Sequence, residues 1–131
     1  MSGEKNILLL LKGMTPVLNP GEYVFVTTNN ANTIPLQEII GMFKEKEGTT
    51  IILPREKADK LRLSYDYIAS WITLKIHSSL EAVGLTAAFS SELAKHSISC
   101  NVIAGYYHDH IFVHKDNGEK AVKILEELSQ R

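Results

Sequence analysis

The ten residues GYYHDHIFVH at 105–114 bring His108, His110 and His114 together with Asp109, Tyr106 and Tyr107. Such types in so short a run suggest a metal site or a histidine-aspartate pair for moving protons. Zinc asks for three or four His, Cys, Asp or Glu donors around one tetrahedral point. In an extended chain the three histidines share one parity and therefore one face, while Asp109 has the other. A turn at His108-Asp109 breaks that alternation, and further donors would have to come from His77, His96 or Cys100. A tight hairpin with a wet, polar tip and Asp109 as its turn former explains the run with fewer demands. No Gly-x-Ser-x-Gly elbow places a nucleophile for a Ser-His-Asp triad. No catalytic residue, metal site or cofactor is expected, and a small metalloprotein built on His108, Asp109 and His110 stands as an alternative.

A second stretch, HSSLEAVG at 77–84, offers different chemistry. A helix opening at about Glu81 to Leu85 presents unpaired backbone N–H groups and the positive end of its dipole, which suit a carboxylate. Gly84 lets a ligand approach the main chain closely. Glu81 could take an ammonium group, Ser78 and Ser79 add hydroxyls, and Asn101 on a neighbouring strand could add an amide. The plainer account is that Ser78 or Ser79 caps the helix and Gly84 lets it pack closely on a sheet.

The elements that must position these residues follow from pattern. Ile7, Leu10, Leu11 and Met14 recur at helical spacing, which predicts a helix over 4–13 that stops before Pro16. A Pro-Gly turn leads into a strand from Glu22 to Thr28. The polar NNANTIPLQ is turn-forming, and two extended segments around Glu47-Gly48 form a hairpin. Pro54 opens a short charged helix. In the second half DYIASWITLKIH is a long strand in which Trp71 is a core or interface residue. A helix follows with Leu85, Ala88, Phe89 and Leu93 on one stripe, then two strands, then a helix with Ala121, Ile124, Leu125 and Leu128 inward. FKEKEGTTIILPREKADKLRL and YYHDHIFVHKDNGEKAVKIL both run strand, tight turn, apolar strand, charged helix, a repeat of pattern.

The expected fold class is therefore α+β: two ferredoxin-like halves of β-α-β-β-α type, 1–64 and 65–131, with antiparallel sheets and helices on one face. A chain of 131 residues, 44% hydrophobic and 22% charged, can bury a real core. Its formal net charge of −1 gives no footprint for nucleic acid or an anionic membrane. No apolar run is long enough to span a bilayer, and the single Cys100 excludes an internal disulfide, so a cytoplasmic location is expected. Open edges of antiparallel sheets favour pairing, and a homodimer is the expected form.

The segment ITLKIHSSLEAVGLTAAFSSELAKHSISCNVIAG resembles an ACT domain. Gly84-Leu85 match the Gly-Leu that opens that family's helix, SISCNV stands where its second strand reads roughly "giNi", and Asn101 is the matching asparagine. The likeness is similar to a subgroup of small stand-alone bacterial proteins with two ACT-like halves and no assigned activity. It implies a non-catalytic regulatory module that binds an amino acid or related small ligand. The implied ligand contacts run along Ser78, Ser79, Leu80, Glu81, Val83, Gly84 and Leu85, with Asn101. The usual Asp and Pro ahead of the glycine are missing, and Glu81 is the loop's one acid. An interaction subunit with a vestigial pocket is the remaining alternative.

Overall fold

The structure is a computed structural model that describes residues 7–76 and 84–131. Its contacts divide the chain into two compact units. One comprises Gly21–Ala69; the other comprises the chain up to Pro20 together with Ser70–Arg131. The expected division at 64/65 differs from this grouping, because the first helix and the strand after it join the C-terminal segment.

In the unit Gly21–Ala69, strand β2 (Tyr23–Thr28) pairs antiparallel with β4 (Thr49–Pro54), and β4 pairs with β3 (Gly41–Lys44). The opening residues of β5 (Ile68–Lys75) pair with β2 through Tyr23↔Ala69 and Val24↔Ile68. Helix α2 (Arg55–Lys60) starts directly after Pro54, whose φ of −58° already suits a helix entry. Val24, Val26, Ile51 and Leu53 alternate inward with Ile34 and Ala58 to make a small core. Between β2 and β3 lie only two 3-10 turns, Ala31–Thr33 and Leu36–Glu38. NNANTIPLQ has no apolar stripe to hold a longer helix, and Pro35 removes a donor.

The other unit contains α1 (Ile7–Lys12), β1 (Thr15–Leu18), the rest of β5, α3 (Leu85–Lys95), β6 (Cys100–Ala104), β7 (Asp109–His114) and α4 (Gly118–Ser129). From β5 onward this is the expected β-α-β-β-α order. The sheet runs β1-β5-β7-β6. Thr15–Leu18 was not anticipated as a strand, since Pro16 reads as a helix stop. Here β1 pairs antiparallel with β5 from Thr15↔Lys75 to Leu18↔Ile72, and among the described residues β5 is its one strand neighbour, a position that tolerates proline. Period-two alternation sends Ile72, Leu74, Ile111 and Val113 to the helix side. There they meet Leu10, Leu11, Leu85, Phe89, Leu93 and the α4 stripe Ala121, Ile124, Leu125 and Leu128.

The repeat is exact in register. The rungs Lys44↔Thr49 and Ala104↔Asp109, sixty residues apart, each bracket four residues. In the first hairpin Glu45 N–H donates to Gly48 O at 3.1 Å, and in the second Gly105 N–H donates to His108 O at 2.9 Å. Ile51, Ile52 and Leu53 are buried in one, Ile111, Phe112 and Val113 in the other. The expected turn at His108-Asp109 is thus corrected. The tip is Gly105-Tyr106-Tyr107-His108, and Asp109 begins β7. A Cβ on Gly105 would sit 2.8 Å from His108 O, so the close approach of the two strands requires glycine there.

Helix α3 is tied to Arg131, two residues beyond the end of α4, by an ion pair that residue patterning did not suggest. Glu92 lies beside the apolar stripe of α3, is 5% exposed, and receives two hydrogen bonds from the Arg131 guanidinium at 3.0 and 2.9 Å. Those bonds hold the Glu92 carboxyl below its ordinary range, against the opposing effect of desolvation. The unfolded chain binds the Glu92 proton more readily, so the pair contributes stability above the unfolded pKa of about 4.3 and loses it as pH falls through the folded value. Arg131→Ala should lower the melting temperature at neutral pH and flatten its fall between pH 5 and 2. Parallel melting-versus-pH curves for the two proteins would contradict this.

Candidate functional site

Gly84 is the N-cap of α3, with φ 90° and ψ −8°, a left-handed conformation that side chains with a Cβ rarely adopt. Its carbonyl accepts the Ala88 N–H at 2.9 Å, the first bond of the helix. The N–H groups of Leu85, Thr86 and Ala87, ahead of that bond, have no partner within the helix ladder. Ile7 of α1 is close by: a Cβ on Gly84 would lie 3.6 Å from Ile7 Cδ1. The opening of α3 therefore presents backbone donors beside an apolar side chain of α1.

The sequence-derived residues distribute unevenly around this point. Ser78, Ser79, Leu80, Glu81 and Val83 lie outside the described residues. The Leu85 side chain is 4% exposed and belongs to the core, so what it offers at the helix opening is its backbone N–H. Asn101 is exposed on β6 opposite Phe112. Its neighbours Cys100 and Val102 pack on the helix-side core, so Asn101 faces the other side of the sheet. Gly84 and Leu85 are together, and the Asn101 side chain is on the opposite face from Leu85.

That opposite face carries a polar network around His110. Trp71 Nε1–H donates to His110 Nδ1 at 3.0 Å, and Thr73 Oγ1 lies 3.2 Å from the same nitrogen. Asn19 Nδ2 donates to Thr73 Oγ1 at 3.0 Å and to Trp71 O at 3.2 Å. The Trp71 ring also stacks on Phe112, with centroids 6.2 Å apart. An indole N–H can bond only to an unprotonated Nδ1, so this geometry specifies neutral His110. Burial pushes its pKa down, His108 adds to that, and Asp109 opposes it. Asp109 is itself shifted upward by burial, with His110 opposing. Trp71 lies in the strand expected for it, and only the pairing of strands distant in sequence makes His110 its partner.

His114 and His96 serve the backbone. His114 Nδ1 accepts the Asp116 N–H at 3.2 Å at the start of the 3-10 turn Lys115–Asn117. His96 Nδ1–H donates to Glu92 O at 3.0 Å at the end of α3. His108 keeps Nδ1 buried with no hydrogen-bond partner among the described residues. Among the described residues no group of three or more His, Cys, Asp or Glu could hold a metal ion. No helix of the described residues is long and apolar enough to cross a membrane.

The His110 network has a direct optical readout, since Trp71 is the sole tryptophan. The folded pKa of His110 lies below its unfolded value of about 6.5, so neutral His110 contributes stability above that pH. That contribution is lost as pH falls from the unfolded value through the folded one. Trp71 fluorescence should titrate with a midpoint below 6.5, and His110→Gln should remove the transition. A wild-type midpoint at or above 6.5 would contradict the buried, neutral assignment.

Two ACT domain models match the chain, one over residues 2–70 and the other over residues 67–127. The chain belongs to the ACT domain family. ACT domains are typically regulatory, non-catalytic modules that bind small molecules. This two-domain ACT chain is similar to a crystal structure of a Vibrio cholerae protein of unknown function, described as a possible transport protein. Identity is 48%, coverage 96% of this chain and 98% of that one, and the TM-score 0.85. It shares its fold with the regulatory subunit of Thermus thermophilus aspartate kinase, in ligand-free form, at 6% identity and TM-score 0.59, covering 86% of this chain and 95% of that one. It also resembles part of Escherichia coli aspartokinase III in complex with aspartate and ADP, at 10% identity and TM-score 0.66, covering 88% of this chain and 33% of that one. No curated protein matches the chain.

Proposed function

We propose that this ACT protein is a non-catalytic regulatory module that binds an amino acid or related small ligand at the opening of α3, and that it works as a homodimer. The observation that carries the reading is Gly84, held left-handed at the N-cap with the first-turn N–H groups of Leu85, Thr86 and Ala87 ahead of the first helical bond. A carboxylate suits such donors and the positive end of the helix dipole. Ser78, Ser79 and Glu81 precede Gly84 in the sequence, and Glu81 is the group for an ammonium. Asn101 enters this reading only through a neighbouring copy, since its own side chain faces away from the helix layer.

The metalloprotein alternative loses ground to geometry. His110 commits Nδ1 to Trp71, and His114 commits Nδ1 to a backbone N–H. A thermal-shift panel of the twenty amino acids and common divalent metals separates the readings, because a ligand that binds only the folded state raises stability by about 2.7 kcal/mol at a hundredfold excess over its dissociation constant. Stabilisation by one or a few amino acids is expected. Stabilisation by a metal alone would favour the alternative.

A further inference from the structure

The His110 imidazole sits between one group that can only donate and another that can donate or accept. Trp71 Nε1–H is 3.0 Å from Nδ1, and Thr73 Oγ1 lies 3.2 Å from the same nitrogen. Asn19 Nδ2 donates to that hydroxyl oxygen, which leaves Thr73 a second lone pair to offer. Asn19 is itself fixed to β5, since its backbone N–H and its amide both reach Trp71 O, at 2.9 and 3.2 Å. Thr73 is buried, so its hydroxyl is committed to this network and not to solvent. The other side of the ring packs on the hairpin tip, where a Cβ on Gly105 would lie 3.3 Å from His110 Cδ2 and Nε2. The imidazole has little room to move, and a change of its charge must be answered by its partners.

We propose that this triangle is a proton switch: neutral His110 holds the Trp71 indole over Phe112, and protonated His110 turns its Nδ1–H to Thr73 and releases the indole. A proton on Nδ1 leaves Trp71 Nε1–H facing another donor and a positive charge, so their bond is lost. Thr73 Oγ1 can accept the new N–H at the distance it already keeps, so the charged ring gains a partner without moving. What moves is Trp71, whose ring stacks on Phe112 at 6.2 Å between centroids and 16° between planes. Phe112 is 1% exposed, and withdrawal of the indole uncovers it on the sheet face opposite the helices. Among the described residues, His108 at the hairpin tip disfavours charge on His110 and the adjoining Asp109 favours it. From β6 the uncharged Ile103 stands opposite His110, while Lys75 of β5 and His114 of β7 lie further along the same face. The switch gives the protein a proton input on the face away from the opening of α3, and it stands independently of the ligand reading there.

Acrylamide quenching of Trp71, the sole tryptophan, followed alongside the His110 ring resonances tests the exchange of partners. As His110 titrates, the quenching constant should rise at least about twofold while far-UV circular dichroism stays constant. Thr73→Val removes the acceptor of the charged form, so it should move both transitions to lower pH together. Thr73→Ser keeps the hydroxyl and should restore the wild-type midpoint. The proposal is overturned by a quenching constant that stays flat while His110 titrates, or by a rise that coincides with loss of the circular-dichroism signal. A Thr73→Val protein with the wild-type midpoint would overturn it as well, by removing Thr73 as the partner of protonated His110.

Discussion

Phe89→Ala should lower the free energy of unfolding by about 3–5 kcal/mol, the range for removing a large buried aromatic side chain. Phe89 is fully buried in the middle of the α3 stripe, between Leu85 and Leu93, and shares its core with strands β5 and β7 and with α4. The cost has two parts, the apolar surface no longer withdrawn from water and the cavity that a rigid sheet leaves unfilled. A protein of this size is stabilised by about 5–15 kcal/mol in all, so the variant gives up a large share. The melting temperature should fall by roughly 10–20 °C, using the usual conversion for small domains. Phe89→Leu should fall much less, since most of the volume is kept. Calorimetric or circular-dichroism melts of the three proteins check this, and a Phe89→Ala loss under 1 kcal/mol would show that α3 does not rest on this core.

Gly84→Ala is the second large effect, and it acts through the backbone. At φ 90° a Cβ is strained whatever space surrounds it, and the left-handed region costs an ordinary residue about 1–2 kcal/mol. Among the described residues the nearest side-chain atom, Ile7 Cδ1 at 3.6 Å, is at ordinary contact distance, so the expected penalty is conformational. Gly84→Asn should recover part of the stability, because asparagine visits the left-handed region more readily. Ligand affinity should fall at least tenfold in both variants if a ligand approaches the main chain at this point. Chemical denaturation and calorimetric titration separate the two effects. A Gly84→Ala protein as stable as wild type would contradict the left-handed N-cap.

Much of the fold was legible because its cues are local. The α4 stripe Ala121, Ile124, Leu125 and Leu128 repeats at helical spacing, and all four residues are buried. Pro54 announced α2, and Glu47-Gly48 announced the hairpin between β3 and β4. What was missed depends on contacts distant in sequence. Thr15–Leu18 is a strand because β5, more than fifty residues later, pairs with it. Asp109 looked like a turn former by type, yet the four-residue tip begins at Gly105, whose place is set by the close approach of His108 O.

Of the candidate site, the helix opening is what the sequence makes legible: the Gly84-Leu85 pair of the ACT resemblance stands at the N-cap of α3. Asn101 was assigned beside it by position in a motif, and strand parity turns its side chain to the opposite face. Trp71, Thr73, His110 and Asn19 carry no shared sequence signature. They meet only through the rungs that bring β1, β5 and β7 side by side.

In the proposed function the opening of α3 at Gly84 takes the carboxylate of an amino-acid-like ligand. The most direct measurement is calorimetric titration of the wild-type protein and of Gly84→Ala with whichever amino acid gives the largest thermal shift. Saturable binding to wild type and at least tenfold weaker binding to the variant are expected. Equal affinity for both proteins, or no stabilisation by any of the twenty amino acids, would contradict it.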